Sequence, residues 1–257
     1  MYEKFSDDYD RFVNWKDRLA YEMPFIEKQI RLLQNILQRP LDILDTACGT
    51  GMHAIALAKA DHRVSVSDLF PEMIEKSQRN AHNAGVQVRF ESAGLGEMAK
   101  TFGGNQFDLL LCLGNSLPHL TKEDELNASL EDFLSVLRPG GMVFIQNRNF
   151  DAVMQRQERW MEPQTYQSEA SEWIFQRFYD FLPNGLVRFN IVSLKRNNDS
   201  DWQSVVNSTL LRPQISSELE HQLVQAGFRE VQAYGSMQGE PFSPDSSGNL
   251  IITATKP

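Results

Sequence analysis

Cysteine is scarce in this chain, and the patterns that mark several common protein classes are missing. Cys48 and Cys112 are the only cysteines among 257 residues, which excludes a disulfide scaffold and predicts two reduced thiols in an apolar core. No apolar run approaches the roughly 18 residues of a membrane span. The acidic residues 1–10 lack the apolar stretch of a secretory signal. The five histidines show no metal-ligand spacing, so we predict no metal site.

Positive charge is also in short supply. The sequence has 25 Lys and Arg against 34 Asp and Glu, and its basic residues form nothing longer than pairs such as Lys195-Arg196. Tight binding to nucleic acid or to an anionic membrane needs a basic surface that this composition does not supply. We therefore expect a cytoplasmic protein that binds a small molecule, and neither nucleic acid nor a membrane. The composition leaves a homo-oligomer possible.

Strand-like and helical patterns alternate along residues 41–146. The fourth strand-like run, residues 107–113, is apolar apart from Asp108, as expected for a strand covered on both faces of a parallel sheet. Thr121 and Asp124 form a capping-box pattern that predicts the start of the next helix. This alternation predicts an α/β fold with a mostly parallel, seven-stranded, Rossmann-like sheet whose last strand is antiparallel.

The segments around this core follow different patterns. The N-terminal segment is helical and amphipathic up to Pro40. It carries a cluster of aromatic and charged residues that includes Tyr9, Trp15 and Arg18, and this cluster either packs on the core or forms a lid over the glycine-containing site. After the fifth strand, three strand-like runs without helices between them predict a small antiparallel insertion. The predicted units are a helical lid segment (1–40), a core (41–150), an insertion that covers the substrate (151–213), and a last helix with closing strands (214–257).

The turn after the first strand is the centre of the predicted site. Residues 49–54 read Gly-Thr-Gly-Met-His-Ala, which fits the pattern G-x-G-x-x-G/A between a strand and a helix. Glycine lets the backbone approach a ligand closely, and the free N–H groups of the following helix attract polar ligands. Asp68, at the end of the second strand, is placed to bind ribose hydroxyls. These features predict a nucleotide-type site, in a dehydrogenase or a methyltransferase alike.

Three further observations favour S-adenosylmethionine over a dinucleotide. Asp45 precedes the glycines and would repel a pyrophosphate, whereas its carboxylate suits a ligand with an ammonium and a sulfonium. The site also begins after some forty residues of helical segment, although dinucleotide folds usually start at the glycine strand. Finally, the chain ends in a strand, a loop and a strand instead of a second βαβ half. A nicotinamide oxidoreductase therefore remains only an alternative.

Several motifs of the sequence resemble those of a known family. Residues 45–51, Asp-Thr-Ala-Cys-Gly-Thr-Gly, resemble the first motif of class I S-adenosylmethionine-dependent methyltransferases, whose fold matches the strand order predicted for residues 41–255. Residues 112–120, 138–141 and 147–151 are similar to the glycine/sarcosine N-methyltransferase branch. The resemblance implies S-adenosylmethionine as the cofactor. The cofactor contacts that we predict are Tyr9, Trp15, Arg18, Asp45, Ala47, Gly49, Gly51, Asp68, Leu69, Met73, Ala93, Gly94 and Leu113.

The same resemblance implies how the methyl acceptor binds. In that branch the residues that match Asn115 and Arg148 hold the substrate carboxylate, and an arginine fork suits this task because it binds both oxygens. The tyrosine-rich segment of those enzymes is absent here, where Arg212 offers a second anion contact instead. His119 and Tyr9 are candidate general bases, although an amine that enters deprotonated does not require one. We expect N-methylation of a small amine that bears a carboxylate.

Other functions remain open on the residues alone. They are O-methylation of a small metabolite, a nicotinamide oxidoreductase, and a protein that binds S-adenosylmethionine without catalysis. A hydrolase is disfavoured, because Ser116 follows a strand but lacks the second glycine of a nucleophile elbow.

Overall fold

The computed structural model describes residues 10–198 and 200–257, which form two β-sheets with helices around the larger one. The strands are β1 (Asp42–Thr46), β2 (Arg63–Asp68), β3 (Arg89–Ser92), β4 (Phe107–Cys112), β5 (Leu137–Arg148), β6 (Gln164–Gln167), β7 (Ser171–Phe181), β8 (Val187–Asn197), β9 (Gln203–Leu211), β10 (Arg229–Tyr234) and β11 (Asn249–Thr255). The larger sheet has seven strands in the order β10-β11-β5-β4-β1-β2-β3. Only β11 runs antiparallel to its neighbours in this sheet, which confirms the predicted fold.

Helices cover both faces of the larger sheet and make two apolar cores. They are α1 (Trp15–Leu37), α2 (Met52–Lys59), α3 (Pro71–Ala84), α4 (Met98–Phe102), α5 (Glu123–Val136), α6 (Phe150–Arg156) and α7 (Ser216–Gln225). Residues of α1, α2 and α3 pack on one face, and residues of α4, α5 and α7 pack on the other. Every residue of the central strand β4 is buried, including Asp108. Its carboxylate accepts hydrogen bonds from Arg39 at 2.7 and 2.8 Å and from Arg138 at 2.9 Å, which compensates its burial.

The smaller sheet is the predicted antiparallel insertion. Its strands follow the order β6-β7-β8-β9, and each pairs antiparallel with the next. The sequence predicted β7, β8 and β9 but missed β6, because its residues, Gln-Thr-Tyr-Gln, are short and polar and show no apolar alternation. The N-terminal residues pack on this sheet, since the rings of Phe12 and Phe175 lie 5.5 Å apart.

Some boundaries differ from those predicted. Helix α1 ends at Leu37, three residues before Pro40, because Gln38 adopts a left-handed conformation with a φ of 54° and caps the helix. The predicted capping box is wrong: Lys122 is the N-cap of α5 and makes no side-chain capping bond. Three acidic residues in the first turn of α5 stabilise this end instead, through their charge on the helix dipole.

Three further properties of the described residues bear on function. None of their helices has the length and apolar character needed to cross a membrane. Within residues 10–198 and 200–257, no group of three or more His, Cys, Asp or Glu side chains is arranged to hold a metal ion. Cys48 and Cys112 are both free and buried.

Candidate active site

A cavity of about 480 Å³ lies at the carboxyl ends of β1, β2 and β4. Small-molecule sites have volumes of about 300–1,000 Å³, and α/β proteins bind ligands at this end of the sheet. Most of the predicted cofactor residues line the cavity: Trp15, Arg18, Asp45, Ala47, Gly49, Asp68, Leu69, Met73, Ala93, Gly94 and Leu113. Tyr9, also predicted there, lies outside the described residues.

Gly51, which is also a predicted ligand contact, is not among the residues that line the cavity, and the structure shows that it packs closely against another helix. Its φ of 77° is in the left-handed region, and a Cβ built on it would overlap Oγ of Ser77 and lie 3.0 Å from Cβ of Ser77. Glycine at this position allows the first turn of α2 to pack closely against α3. Its role is therefore to hold the turn that carries Ala47 and Gly49.

Gly51→Ala is expected to lower the free energy of unfolding by about 2–5 kcal/mol, as the sum of left-handed strain and overpacking. Gly85→Ala is the matched control, because Gly85 has a φ of 69° but no atom within 4 Å of its built Cβ. That variant should lose only about 1–2 kcal/mol. Urea unfolding measures both, and equal losses would contradict the packing role of Gly51.

Two carboxylates dominate one wall of the cavity. Oδ2 of Asp45 is buried and has no hydrogen-bond partner among the described residues. Burial, together with the charge of Asp68, raises the pKa of Asp45 to about 7. Asp68 accepts hydrogen bonds from the backbone N–H groups of Gly49 at 2.9 Å and Phe70 at 3.0 Å, while burial raises its pKa. The charge of Arg18 acts to lower the pKa of Asp45 but does not outweigh burial and Asp68, so the cavity favours a cationic ligand.

The N-terminal segment also contributes to the lining of the cavity, through Trp15 and Arg18. Trp15 donates a hydrogen bond to Oδ1 of Asp10 at 2.8 Å, and Thr50 in the glycine turn donates to the same oxygen at 2.8 Å. Asp10 therefore fastens the start of α1 to the turn. The guanidinium of Arg18 lies 5.0 Å from the Trp15 ring centroid, and both side chains line the cavity.

A buried hydrogen-bond network supports Arg18, and sequence reasoning missed it. The carboxylate of Glu22 accepts from Nε of Arg18 at 3.0 Å, contacts Nε2 of His53 at 2.7 Å, and accepts from Nε2 of Gln146 at 2.9 Å. Burial lowers the pKa of His53, which leaves the ring neutral with its Nε2–H donated to Glu22. Oε1 of Gln146 also accepts from N of Gly114 at 3.1 Å, which links the network to the turn after β4.

The turn after β3 closes another side of the cavity. Ala93, Gly94, Leu95 and Glu97 line it, and the carboxylate of Glu97 accepts a hydrogen bond from N of Gly94 at 2.9 Å. An adenine bound here would meet backbone groups and this carboxylate. The residues that line the cavity but were not among the predicted contacts are Cys48, His53, Phe70, Leu95, Glu97, Gly114, Ser116, Leu120 and Thr209.

The predicted acceptor residues occupy different positions. His119 lines the cavity, and burial lowers its pKa to about 4, so its ring is neutral at physiological pH. Asn115 does not line it; its Oδ1 accepts from N of Arg148 at 3.0 Å and ties the turn after β4 to the end of β5. Arg148 also lies outside the cavity lining, on the side of the smaller sheet. Arg212 forms an ion pair with Glu123 at 3.0 Å.

Comparisons with known proteins agree with this geometry. A family described as "Methyltransferase domain" matches residues 43–141. The chain is 34% identical over 153 residues to a glycine/sarcosine N-methyltransferase of Parasynechococcus marenigrum, covering 60% of this chain and 52% of that relative. It is 29% identical to the glycine/sarcosine N-methyltransferase of Aphanothece halophytica, in a match that covers 99% of this chain and 89% of that relative. The solved structure of an S-adenosylmethionine-dependent methyltransferase from Clostridium acetobutylicum superimposes on this chain with a TM-score of 0.77 at 17% identity. The match covers 99% of this chain and 98% of that one.

The described side chains also fit S-adenosylmethionine. This molecule carries a sulfonium, an ammonium and a carboxylate. The buried oxygen of Asp45, which has no hydrogen-bond partner among the described residues, suits the cationic groups, and the guanidinium of Arg18, which also lines the cavity, suits the carboxylate. Asp68 at the end of β2 suits ribose hydroxyls. Residues 43–141 thus match a methyltransferase domain, and the fold around them is similar to that of an S-adenosylmethionine-dependent methyltransferase.

Proposed function

We propose that this enzyme methylates the nitrogen of a small amine that also carries a carboxylate, such as glycine or sarcosine. The observation that carries the proposal is the guanidinium of Arg148. Its Nε is buried without a hydrogen-bond partner among the described residues, and its Nη2 lies 3.8 Å from Glu158, beyond hydrogen-bond distance. An arginine with unused donors matches a carboxylate. The names of the relatives, glycine/sarcosine N-methyltransferases, point to the same acceptor class.

The chemistry asks little of the protein beyond positioning. S-adenosylmethionine, when bound, supplies a methyl group that its sulfonium already activates for displacement. The chain then has to hold the acceptor nitrogen in line with that methyl group and keep water away. Such positioning contributes about 7–11 kcal/mol to lowering the barrier. Leu113, Leu120 and Trp15 provide apolar walls of the cavity for this purpose.

His119 acts in this proposal as an uncharged wall of the acceptor site. Because burial lowers the pKa of His119 to about 4, the ring is neutral where the enzyme works and does not repel an amine or a sulfonium. A pKa this low makes the ring a weak proton acceptor. The amine therefore enters the site deprotonated, and His119 orients it instead of removing its proton.

The N-terminal segment acts as the lid of the site, and the antiparallel insertion acts as the acceptor's cover. Asp10 supports this role because it accepts hydrogen bonds from both Trp15 and Thr50 across the glycine turn. Arg11 supports it from the other side, since its guanidinium lies 4.9 Å from the ring centroid of Trp173 in β7. A lid that bridges both sheets excludes water from the cavity when it closes.

A cytoplasmic location belongs to the same proposal. Its support is that Cys48 and Cys112 are both free and buried. Free thiols are typical of reducing compartments.

Arg148→Met is expected to raise the KM for a carboxylate-bearing amine by about tenfold to a hundredfold, because a hydrogen bond to a charged group is worth about 1.5–3 kcal/mol. The affinity for S-adenosylmethionine, measured by calorimetry, should stay nearly constant. A mass-detected methyl-transfer screen first identifies the acceptor among glycine, sarcosine, larger amines, phenols and carboxylic acids. Methylation of phenols alone, or an unchanged KM in the variant, would contradict the proposal.

A further inference from the structure

A second arginine lies on the inner face of the smaller sheet. Side chains alternate along β7, and Trp173, Phe175 and Tyr179 all point to the buried face. Arg177 falls between Phe175 and Tyr179 in this alternation and therefore shares their face. Its guanidinium lies 5.1 Å from the ring centroid of Phe12. Its Nε is buried without a hydrogen-bond partner among the described residues, so Arg177 keeps an unused donor inside the protein.

The register of the smaller sheet connects this face to the cavity. Tyr179 of β7 lies opposite Phe189 of β8, which lies opposite Thr209 of β9. Directly opposed residues share one face of an antiparallel sheet, and Thr209 lines the cavity. Arg177 lies one row further along the same face. The inner face that carries Arg177 is therefore continuous with the wall of the site.

Arg148 approaches the same place from the larger sheet. Its backbone N–H is held by Asn115, which stands between two residues of the cavity lining, Gly114 and Ser116. Phe150, two residues further along, lies 6.0 Å from the ring of Tyr179. Burial and the nearby charge of Arg148 both lower the pKa of Arg177. Two guanidinium groups with unused donors thus lie near each other at the junction of the two sheets.

The charges at this junction do not balance. Burial raises the pKa of Tyr179 to about 12, so this phenol is neutral and contributes no negative charge. Glu158 is the only carboxylate that the described contacts place beside either arginine, at 3.8 Å from Arg148. Two cations and one anion leave a net charge of +1. A ligand with one negative charge would neutralise the group.

We infer that Arg177 binds the acceptor's carboxylate together with Arg148, and that Glu158 restricts the subsite to acceptors with a single negative charge. This inference rests on the proposed function, and it assigns the second anion contact to Arg177. Arg212, which the sequence suggested for that contact, is already paired with Glu123. Each guanidinium offers five N–H donors and a carboxylate accepts about four hydrogen bonds, so two arginines can share one carboxylate.

Acetate is a suitable probe, because it carries the carboxylate without the amine and its binding needs no turnover. We expect Arg177→Met and Arg148→Met each to weaken acetate binding by about tenfold or more, measured by NMR titration of the full chain with S-adenosylmethionine bound. Arg177→Lys, which keeps the charge but loses the fork, should recover part of the loss. Arg196→Met is the matched control, because Arg196 lies on the outer face of the same sheet and pairs with Glu172 at 2.7 Å.

The outcomes separate the two proposals. Weaker binding in Arg148→Met alone would overturn the role of Arg177 and leave the proposed function standing, whereas unchanged binding in both variants would overturn both. Glu158→Gln tests the charge restriction with malonate, which carries two carboxylates and, like acetate, no amine. Its binding relative to acetate should improve about tenfold in this variant, because the net charge of the subsite rises to +2. An unchanged ratio would remove Glu158 from the inference.

Discussion

Asp45→Asn is expected to weaken S-adenosylmethionine binding by about tenfold to a hundredfold while it makes the ligand-free protein more stable at neutral pH. The affinity falls because asparagine keeps the shape of the side chain but loses its negative charge. Oδ2 of Asp45 is buried and has no partner among the described residues, which leaves it to a cationic group of the ligand. A hydrogen bond to a charged group is worth about 1.5–3 kcal/mol, which sets the size of the loss.

The gain in stability follows from the pKa of the same group. Burial and Asp68 raise the pKa of Asp45 from 3.8 to about 7 in the folded chain. A carboxyl whose pKa is raised by folding leaves the protein fully stable at pH values below the pKa of the unfolded state. This stability is lost as the pH rises through the pKa of the folded state. A rise of three pKa units corresponds to about 4 kcal/mol of lost stability in the wild type above about pH 7, and the variant avoids this loss. The amide of the variant is itself buried without partners, which costs about 1–3 kcal/mol. The variant should therefore gain roughly 1–3 kcal/mol at about pH 8 and lose about 1–2 kcal/mol at about pH 4, where the wild-type carboxyl is largely protonated and only the cost of the amide remains.

Urea unfolding at several pH values, beside calorimetric titration of the ligand, measures both effects. Asp61→Asn is the control, because Asp61 is exposed and its positive φ of 63° suits asparagine. That variant should change neither quantity. A stability gain without a loss of affinity would mean that the carboxylate is not a ligand contact. A decrease in both stability and affinity would show that Asp45 supports the folded structure instead of contacting the ligand.

Proton release is a second consequence of the same pKa. A cation bound beside Asp45 lowers its pKa, so ligand binding at about pH 6.5 should release up to one proton from the wild type and none from Asp45→Asn. Calorimetry in two buffers of different ionisation enthalpy measures the number. The α-amino group of the ligand titrates only near pH 8, at about 7.7–8.0, and therefore interferes little.

The fold was predictable because local patterns specify it. The alternation of strands and helices along residues 41–146 and the run of β4, which is apolar apart from Asp108, require no knowledge of distant contacts. The glycine turn and the strand-end carboxylates, Asp45 and Asp68, were predictable for the same reason. In a parallel sheet every strand end of this kind lies at one edge, so position along the chain translates directly into position in the site.

The parts that the sequence did not reveal are contacts between distant segments. Glu22 and Gln146 are 124 positions apart, and neither stands in a motif, so nothing local marks them as partners. Arg177 resembles any charged residue of an exposed strand until the register shows that it shares the buried face of Phe175. Gly51 shows the opposite case, in which a local motif does not reveal a packing contact. Its motif suggests a ligand contact, whereas its neighbour Ser77 on another helix determines its role.

Glu22→Ala is expected to cost about 3–5 kcal/mol of unfolding free energy, the usual result of removing one partner of a buried ionic group. The variant leaves the buried groups of Arg18, His53 and Gln146 without their shared acceptor. Burial acts to raise the pKa of Glu22. The hydrogen bond from His53 and the charge of Arg18 outweigh burial and lower this pKa from 4.5 to about 2. A lowered carboxyl pKa gives stability above the unfolded pKa that is lost as the pH falls through the folded pKa.

The difference in stability between wild type and Glu22→Ala should therefore be constant above about pH 5 and should shrink by about 1.4 kcal/mol for each pH unit below 4.5. Glu27→Ala is the control on the same helix, since Glu27 is exposed and its ion pair with Arg31 spans 3.5 Å; its loss should stay within about 0.5 kcal/mol. Because Glu22 holds Arg18 against the cavity, affinity for S-adenosylmethionine should fall in the first variant alone. A destabilised variant that binds the ligand normally would show that Arg18 needs no support from Glu22.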